Sequence, residues 1–313
     1  MVSAPLFEDP VYGSPTDPSI IWNREEKKWW IMYTQRRNSP HPVGASDVHG
    51  TKIGVASSED GSRWLYRGTL PGLDIEPGHN TFWAPEVLYA EGKYHMFVSY
   101  ITGIPTNWEW PRHILHYTAD NMWEWKFEGI VPLSSERCID ACVFKVGDKY
   151  KMWYKDEDHE SHSYAAESAD LYHWTVLGDE ISYNHHEGPN AFSFGGKNWM
   201  ITDEWDGLGV YETADFRTFT RNGVILKEGG KRRLDGAKGH HADVLVNGGN
   251  AYIFYFCSAW NLSDGELSFE TLPASERGHH VVQVAKLSVK EGKLCCDRDE
   301  EFELRLAPPE ESF

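Results

Sequence analysis

The stretch His-His-Glu-Gly-Pro-Asn-Ala-Phe at positions 185–192 places a carboxylate and two imidazoles directly before a short apolar run. A short apolar run bounded by Gly and Pro is typical of a β-strand. Four other stretches share this layout of a polar or acidic residue, an apolar strand and then a second strand. They begin at Asp17, Ala84, Asp140 and His241. We expect the five strand starts to meet around one axis.

A repeated element supports this expectation. It consists of an aromatic or polar residue, then Met, then an aromatic or apolar residue, and a turn signal rich in Gly, Lys, Asp, Glu or Asn precedes it. Its central positions lie 48 to 64 residues apart, at Met32, Met96, Met152, Met200 and Phe254. A turn signal between two apolar runs indicates a hairpin, so each unit contributes at least two antiparallel strands.

The first four units continue with a strand rich in Ser, Thr or Ala, an Asp, an aromatic residue and a Gly. The aromatic residues are Trp64, Trp125, Trp174 and Phe219. This order predicts a third strand that turns into a fourth, with an aromatic plug at the turn. Four antiparallel strands repeated five times predict an all-β fold, a five-bladed β-propeller. We predict one domain over residues 1–313, with residues 281–287 and 302–306 completing the fifth blade.

Composition and charge argue against several classes of function. The 313 residues are 40% hydrophobic and 25% charged, as in an ordinary globular protein. The formal net charge of −18, with 30 Lys and Arg against 48 Asp and Glu, argues against binding to nucleic acid or to an anionic membrane. The 14 Trp and 15 Tyr suit a β-rich fold, and they also suit sugar binding.

The cysteines and the N-terminal residues bear on the cellular compartment. The five Cys contain no CxxC pair, and we predict that Cys138 and Cys142 are buried thiols. The first residues lack the basic and apolar regions of a secretory signal, and no run of about 18 apolar residues occurs. These features favour a cytoplasmic location, although a chain whose signal had been replaced by Met would look the same.

Aligning the five innermost strands brings three carboxylates to the axis: Asp17, Asp140 and Glu187. Like charges held close together raise one another's pKa values, and chemistry is the usual reason to accept the cost in stability. Glycosidic bond cleavage needs such a set. One carboxylic acid protonates the leaving oxygen, one carboxylate activates water or attacks carbon, and a third tunes the acid. The alternative is that the two Asp cap strand starts and Glu187 is an exposed loop residue.

These motifs resemble glycoside hydrolase family 43 and its five-bladed relatives, including the α-neoagarooligosaccharide hydrolases of family 117. The resemblance spans all five units. Its motifs are Thr-Asp-Pro-Ser-Ile at 16–20, Phe-Trp-Ala-Pro-Glu-Val at 82–87, Ile-Asp-Ala at 139–141, Glu-Gly-Pro at 187–189 and Gly-His-His at 239–241. The resemblance implies an inverting glycoside hydrolase with Asp17 as general base, Asp140 as the orienting, pKa-raising carboxylate and Glu187 as general acid.

Two histidine pairs leave alternatives open. Family 117 enzymes carry a His in the acid role beside the Glu, so His186 is a rival proton donor. In family 43 relatives a fifth-blade histidine helps to hold a hydrated calcium, and His240 or His241 matches that place. Because calcium prefers oxygen ligands, such an ion would be mostly water-bound and structural, and no cofactor is required. Both pairs would equally suit a polar channel floor.

The expected partner is a plant or algal oligosaccharide. The candidate contacts are Trp83 as a stacking platform and Arg36, Lys155, Asp203 and Trp205 at the ends of second strands, where basic residues could meet hydroxyls or a uronate carboxylate. Each is otherwise a rim residue. The resemblance favours α-L-arabinofuranosidase or β-xylosidase activity, with anhydrogalactose or galactose release as the alternative.

Two other classes of function remain as rivals. A glycoside phosphorylase would need two or three basic residues at the axis, where the strand starts show acids and histidines. A propeller that binds carbohydrate without catalysis would keep its function after the acids were neutralised. The quaternary state is left open.

Overall fold

The computed structural model describes residues 2–261 and 276–309. Within these ranges the chain forms twenty β-strands and no helix, so none of the described segments is a helix that could cross a membrane. The strands are β1 (Gly13–Asn23), β2 (Lys28–Arg37), β3 (Lys52–Ser58), β4 (Leu65–Thr69), β5 (Thr81–Ala90), β6 (Lys93–Ile101), β7 (His113–Ala119), β8 (Lys126–Ile130), β9 (Cys138–Val146), β10 (Lys149–Asp156), β11 (His162–Ser168), β12 (Thr175–Ile181), β13 (Glu187–Phe194), β14 (Lys197–Asp203), β15 (Leu208–Thr213), β16 (Phe219–Ile225), β17 (His240–Asn247), β18 (Asn250–Ser258), β19 (His280–Lys290) and β20 (Lys293–Cys296).

The strands form five antiparallel sheets, each made of four strands consecutive in sequence. The innermost strand of each sheet contacts the innermost strands of two neighbouring sheets, in the order β1, β5, β9, β13, β17 and back to β1. This closed ring is a five-bladed β-propeller, which confirms the fold predicted from the repeat. One domain over all of residues 1–313 stays a prediction, because residues 1, 262–275 and 310–313 lie outside the described residues.

The repeated sequence element lies in the second strand of every blade. Its five central positions have no solvent exposure: Met32, Met96, Met152, Met200 and Phe254. Fully burying a side chain of this size contributes about 1.5–3 kcal/mol, so the repeat marks the packing between blades. The predicted plugs also lie at the turns into the fourth strands. In the first three blades the indole Nε1 of the plug donates to a carbonyl oxygen three residues earlier, at 2.8 to 3.0 Å.

A β-bulge recurs at one place in the innermost strands. In each of the first four blades two residues face one residue of the next strand. The first residue of each bulge has a positive φ: 51° at Asp17, 45° at Ala84, 59° at Asp140 and 54° at Gly188. The fifth blade has its irregularity at His241. Bulges re-aim side chains, and here they occur where the aligned sequence places its acids.

A ring of hydrogen bonds joins the innermost strands further along the channel. In four blades a side chain one or two residues after the bulge accepts from a backbone N–H of the next blade. The pairs are Glu86 with Val143 at 2.7 Å, Cys142 with Ala191 at 3.3 Å, Asn190 with Val244 at 3.1 Å and Asp243 with Ile20 at 2.7 Å. Glu86 of the Trp-Ala-Pro-Glu segment therefore connects blades. Burial, and then the charge of Asp243, raises the pKa of Glu86 well above its usual value.

The fifth blade ends differently from the prediction. Its fourth strand is β20, which pairs with β19, whereas residues 302–306 form no strand. Leu304 and Leu306 of that segment instead pack in a cluster with buried residues of the first and fifth blades. Phe7 forms an antiparallel bridge with Val282 on the part of β19 that β20 leaves uncovered. The prediction is confirmed for residues 281–287, which lie in β19, and was wrong for residues 302–306, because an apolar alternation does not reveal which strand it pairs with.

Candidate active site

A cavity of about 470 Å³ lies near the N-terminal ends of the innermost strands, and all five blades contribute to it. Its lining residues are Asp17, Arg36, Val48, Trp83, Trp108, Arg112, Ile139, Asp140, Lys155, Glu157, Glu187, Asp203, Trp205, His240, His241, Phe256 and His280. Five carboxylates, three fixed cations and three indoles thus meet in a space that fits a small ligand.

The imidazole of His241 lies close to both Asp17 and Asp140. The Nδ1 atom of His241 lies 3.6 Å from Oδ1 of Asp17 and 3.8 Å from Oδ2 of Asp140. Arg36 approaches Asp17 from another side, with 3.5 Å between its terminal nitrogen and Oδ2. Burial lowers the pKa of His241, but the charges of Asp140, Asp17 and Glu187 outweigh it and raise the pKa overall. The imidazole therefore favours its cationic form between two carboxylates.

Glu187 is held by Lys155 and Trp205. The Lys155 ammonium lies 3.0 Å from Oε2 of Glu187, and the Trp205 indole donates to Oε1 at 3.2 Å. Lys155 also lies 3.2 Å from Oε1 of Glu157. A single buried ammonium thus pairs with two carboxylates, one on the innermost strand of the fourth blade and one just beyond β10.

The carboxyl groups of Asp140 and Glu187 have different pKa values. Burial raises the pKa of Asp140 to about 7, because it outweighs the lowering by the charge of His241 and because Glu187 and Asp17 raise the pKa further. Burial alone would raise the pKa of Glu187 as well, but the charge and hydrogen bond of Lys155 lower it to about 2. The raised pKa therefore belongs to Asp140, whereas the sequence assigned it to Glu187. The difference arises from Lys155.

The backbone at Gly188 is shaped by His241. A Cβ atom at Gly188 would lie 2.6 Å from Cγ of the His241 ring, so no larger residue fits. The N–H of Gly188 donates to Oδ2 of Asp140 at 3.2 Å. Asp203, which is 1% exposed, contacts both His240 and His241. Its Oδ2 accepts from the backbone N–H of His241 at 3.0 Å and lies 3.1 Å from Nδ1 of His240.

The structure does not bring ligands for a metal ion together at the histidine pair. Among the described residues no group of three or more His, Cys, Asp or Glu is arranged to hold a metal ion. His240 and His241 face carboxylates, and their pKa values are raised after burial is offset by Asp203 for His240 and by Asp140 for His241. A water-bound calcium beside His240 or His241 stays a prediction.

His186 lies apart from the cavity. Its side chain is completely buried, Nε2 lies 2.7 Å from Oγ of Ser163, and Nδ1 lies 2.6 Å from the carbonyl oxygen of Asn184. Burial also lowers its pKa. His186 precedes β13, and its contacts with Ser163 and Asn184 hold its ring away from the cavity. The placement does not fit the rival acid role that the sequence left open for His186.

All five expected substrate contacts line the cavity. Trp83 is 6% exposed and donates from Nε1 to the carbonyl oxygen of Val48 at 2.6 Å, which fixes its ring. Trp205 is 44% exposed, and the Lys155 ammonium lies 5.1 Å from the centroid of its ring. Arg36 contacts Asp17, Lys155 contacts Glu187, and Asp203 contacts the histidines. Arg36, Lys155 and Trp205 therefore contact catalytic candidates as well as lining the cavity.

Sequence reasoning missed several lining residues, among them Trp108, Arg112 and Glu157. Trp108 lies in the connection between β6 and β7, 54% exposed, with its ring centroid 6.2 Å from that of Trp83. A Trp in a polar loop is a signal that could have been used. Arg112 precedes β7 and Glu157 follows β10, and neither belongs to a repeated motif. Cys138 and Cys142 are free, buried thiols.

Comparisons with known proteins define the class to which the fold belongs. No family model matches the sequence, and no curated protein matches it. The structure is similar to that of a thermostable family-43 glycoside hydrolase, with a TM-score of 0.67, 18% identity, and coverage of 97% of this chain and 98% of that one.

Two further solved structures are similar over most of the chain. A family-43 β-xylosidase/α-arabinofuranosidase from a compost microbial metagenome has a TM-score of 0.65 and 17% identity, covering 92% of this chain and 94% of that one. A family-43 β-1,3-galactosidase has a TM-score of 0.67 and 15% identity, covering 96% of this chain and 100% of that one. The resemblance predicted from the motifs is thereby confirmed at the level of the fold, a family-43-like five-bladed propeller.

Proposed function

We propose that this chain is a glycoside hydrolase that removes a terminal sugar from an oligosaccharide with inversion of configuration. The observation that carries the proposal is the meeting of Asp17, Asp140 and Glu187, from three blades, in one cavity walled by indoles. A fold used only as a scaffold gains nothing from placing these acids together, because their mutual repulsion costs stability. The similar fold of family-43 enzymes agrees with this reading.

In the proposed reaction Asp17 acts as general base. Its carboxylate takes a proton from a water molecule as that water attacks the anomeric carbon, and Arg36 and His241 hold the carboxylate in place. Glu187 gives its proton to the oxygen of the leaving sugar, so one proton is taken up and one is released. Asp140 orients the site through His241 and the N–H of Gly188.

The acid step requires Glu187 to be protonated, and the Lys155 contact opposes this. Lys155 also contacts Glu157 at 3.2 Å, so the ammonium keeps a carboxylate partner when Glu187 becomes neutral. We propose that a bound sugar separates Lys155 from Glu187 and that the proton held by the Asp140 and Glu187 pair then resides on Glu187. Displacement of water by the sugar favours the neutral acid further.

The proposed substrates are plant or algal oligosaccharides. Similar folds occur in a β-xylosidase/α-arabinofuranosidase and in a β-1,3-galactosidase, which favours a pentose or galactose at the cleaved position. Family-117-type release of anhydrogalactose is the alternative. Trp83, Trp108 and Trp205 supply flat apolar faces of the kind that pack on a sugar ring.

The test is hydrolysis of aryl glycosides and of arabino-, xylo-, galacto- and neoagaro-oligosaccharides by wild type, Asp17→Asn and Glu187→Gln. We expect kcat/KM to fall by roughly 10²–10⁴-fold in each variant, because each removes a proton-transfer group. Asp120→Asn is the control, because its carboxylate is 85% exposed at a distant turn. NMR detection of the first anomer formed tests inversion. Sugar binding without cleavage by wild type would instead establish a non-catalytic binding propeller.

Phosphorolysis is a second candidate, because the cavity contains Arg36, Arg112 and Lys155. Arg36 lies on β2, Arg112 precedes β7 and Lys155 lies on β10. None of them lies at the start of an innermost strand, so the alignment of those strand starts did not predict them. Lys155 and Arg36 already face carboxylates, which leaves less positive charge for phosphate. Formation of a sugar phosphate on adding inorganic phosphate would establish this activity, and cleavage that is independent of phosphate would exclude it.

We further propose that catalysis needs no cofactor, because the side chains of Asp17 and Glu187 supply the base and the acid. Removal of divalent ions with EDTA should leave kcat unchanged, and added calcium should change at most the thermal stability. A loss of kcat that calcium restores would contradict this proposal.

A further inference from the structure

Arg112 is a buried cation with unfilled hydrogen-bonding capacity at the cavity wall. Its side chain is 1% exposed, and its terminal NH2 group donates to the carbonyl oxygen of Trp108. Nη1 finds no hydrogen-bond acceptor among residues 2–261 and 276–309, and Nε lies near a Glu157 oxygen without the alignment of a hydrogen bond. Leaving a buried donor unsatisfied lowers stability, and the effect is larger for a charged group. Such a cost points to an acceptor that a ligand brings.

The positive charge of Arg112 is also only partly neutralised by nearby carboxylates. Within the described part of the chain, Glu157 is the one carboxylate at ion-pair distance, with 3.1 Å between Nε of Arg112 and Oε2. The same carboxylate lies 3.2 Å from Arg137 and 3.2 Å from Lys155. One carboxylate therefore serves three cations. Burial lowers the pKa of Arg112, in agreement with a charged form that lacks full compensation.

Arg112 lies beside the tryptophan side chains that are proposed to pack on the sugar. Its guanidinium carbon lies 5.9 Å from the centroid of the Trp83 ring, and Trp83 forms the aromatic wall with Trp108. Arg36 also has an unpartnered Nε, but its guanidinium faces Asp17 and belongs to the catalytic group. Arg112 contacts none of the three catalytic candidates. It therefore faces the cavity without direct contact to the proton-transfer groups, and its charge acts on Asp140 over a longer distance.

We propose that Arg112 binds an acidic substituent, a carboxylate or a sulfate ester, on the sugar in the catalytic cavity. The inference rests on the proposed function and names its substrate class as acidic oligosaccharides. Guanidinium groups match planar carboxylates and sulfate oxygens with paired hydrogen bonds. The chemistry of the sugars fits as well, because glucuronic acid is xylose with an added carboxylate, and galacturonic acid is related to L-arabinose in the same way.

The test measures binding to the Asp17→Asn protein, in which turnover is slow. The probes are pairs that differ in the acid group: methyl glucuronide and methyl xyloside, methyl galacturonide and methyl L-arabinopyranoside, and galactose 6-sulfate and galactose. Calorimetry at constant ionic strength should show at least tenfold tighter binding of one acidic member. The pair that shows the preference identifies carboxylate or sulfate as the group. Equal or weaker binding of all three acidic members overturns the proposal.

Arg137 provides a matched control for Arg112. Like Arg112 it contacts Glu157 and donates to the carbonyl oxygen of Trp108, but it does not line the cavity. In Arg112→Gln the preference for the acidic sugar should fall to within twofold, whereas Arg137→Gln should retain it. Arg112→Lys keeps the charge and should retain part of the preference, which provides a reading if Arg112→Gln folds poorly. Loss of the preference in both Gln variants would show a structural effect and overturn the proposal.

Failure of the inference and failure of the proposed function give different results. Selective binding of an acidic sugar without hydrolysis of any glycoside by wild type refutes the hydrolase and leaves the binding site of Arg112 standing. Hydrolysis of neutral glycosides without any preference for acidic ones refutes the inference alone. Tighter binding of inorganic phosphate than of every acidic sugar, lost in Arg112→Gln, also overturns the inference.

Discussion

The carboxyl groups of Asp140 and Glu187 together carry one proton. Burial and nearby carboxylates raise the pKa of Asp140 to about 7, while the ammonium of Lys155 holds the pKa of Glu187 near 2 despite burial. Because the two acids interact, the protons belong to the pair rather than to either residue. The pair thus keeps one proton up to neutral pH, and the acid step uses the arrangement in which Glu187 carries it.

This arrangement predicts the alkaline limb of the pH profile. In wild type, kcat/KM should fall as the pH rises above about 7, because the pair then loses its last proton. In Asp140→Asn the limb of the residual activity should move to lower pH, because Glu187 beside Lys155 must hold the proton alone. Profiles on one substrate test this, with Asp120→Asn as control. A limb at the same pH in Asp140→Asn would assign it to another group.

Gly188 allows a second prediction about a single residue. In Gly188→Ala the new Cβ would lie 2.6 Å from His241, so the imidazole must move away from Asp17 and Asp140. We expect kcat/KM to fall by about 10²-fold or more, because small displacements of catalytic groups have effects of that size. Gly248→Ala is the control. It has a similar φ of 58° and open space around it, so it adds backbone strain without the contact. Equal losses in both would contradict the prediction.

At the level of the strands, the bulges and the channel hydrogen bonds act together. The bulges place residues 17, 84, 140 and 188 at positive φ, which for non-glycine residues costs of order 1–3 kcal/mol each. The hydrogen bonds between blades, a few residues further along each strand, hold the innermost strands in fixed register. The catalytic candidates therefore lie on strained segments that neighbouring blades keep in place.

Asp243 tests the contribution of this ring of hydrogen bonds. Asp243→Ala leaves the N–H of Ile20 and the amide of Asn190 without their acceptor, and should lower the free energy of unfolding by about 1–3 kcal/mol. Asp243→Asn keeps an oxygen at the same place and should cost less. Urea unfolding at pH 7 compares the two variants. Similar losses would mean that the ring does not depend on the acceptor.

For the molecule as a whole, stability depends on closing the ring. Phe7 bridges to Val282 and packs beside Tyr33 with 5.4 Å between ring centroids, so the N-terminal segment connects the first blade to the last. Asp9 strengthens this connection, because its carboxylate accepts from Tyr33 at 2.6 Å and from Gln35 at 2.7 Å. The residues before β1 thereby complete the propeller.

Phe7→Ala should therefore destabilise the entire propeller. We expect a loss of about 3–5 kcal/mol in the free energy of unfolding, as for other buried Phe residues. Catalytic activity and tertiary structure should be lost in one transition at a lower temperature. Leu65→Ala on β4, where Leu65 is 67% exposed, should change the free energy by less than about 0.5 kcal/mol. Separate transitions for activity and structure would show that the blades unfold independently.

The sequence by itself determined the propeller and the three acids. The repeated Met positions and the aromatic plugs are local patterns, and each blade repeats the same buried strand, so five copies specify five blades. Alignment on the innermost strands placed Asp17, Asp140 and Glu187 together, because equivalent positions in a closed ring face one axis. The resemblance to family-43 enzymes followed from the same positions.

Only the tertiary structure decided how the acids are charged and what surrounds them. Lys155 holds the pKa of Glu187 down, His186 points into the protein, and Arg112 reaches the cavity from outside the repeat. The sequence also did not predict that residues 302–306 form no strand. Electrostatic effects and strand partners depend on distances between residues far apart in sequence, and a repeat reports only what each blade has in common with the others.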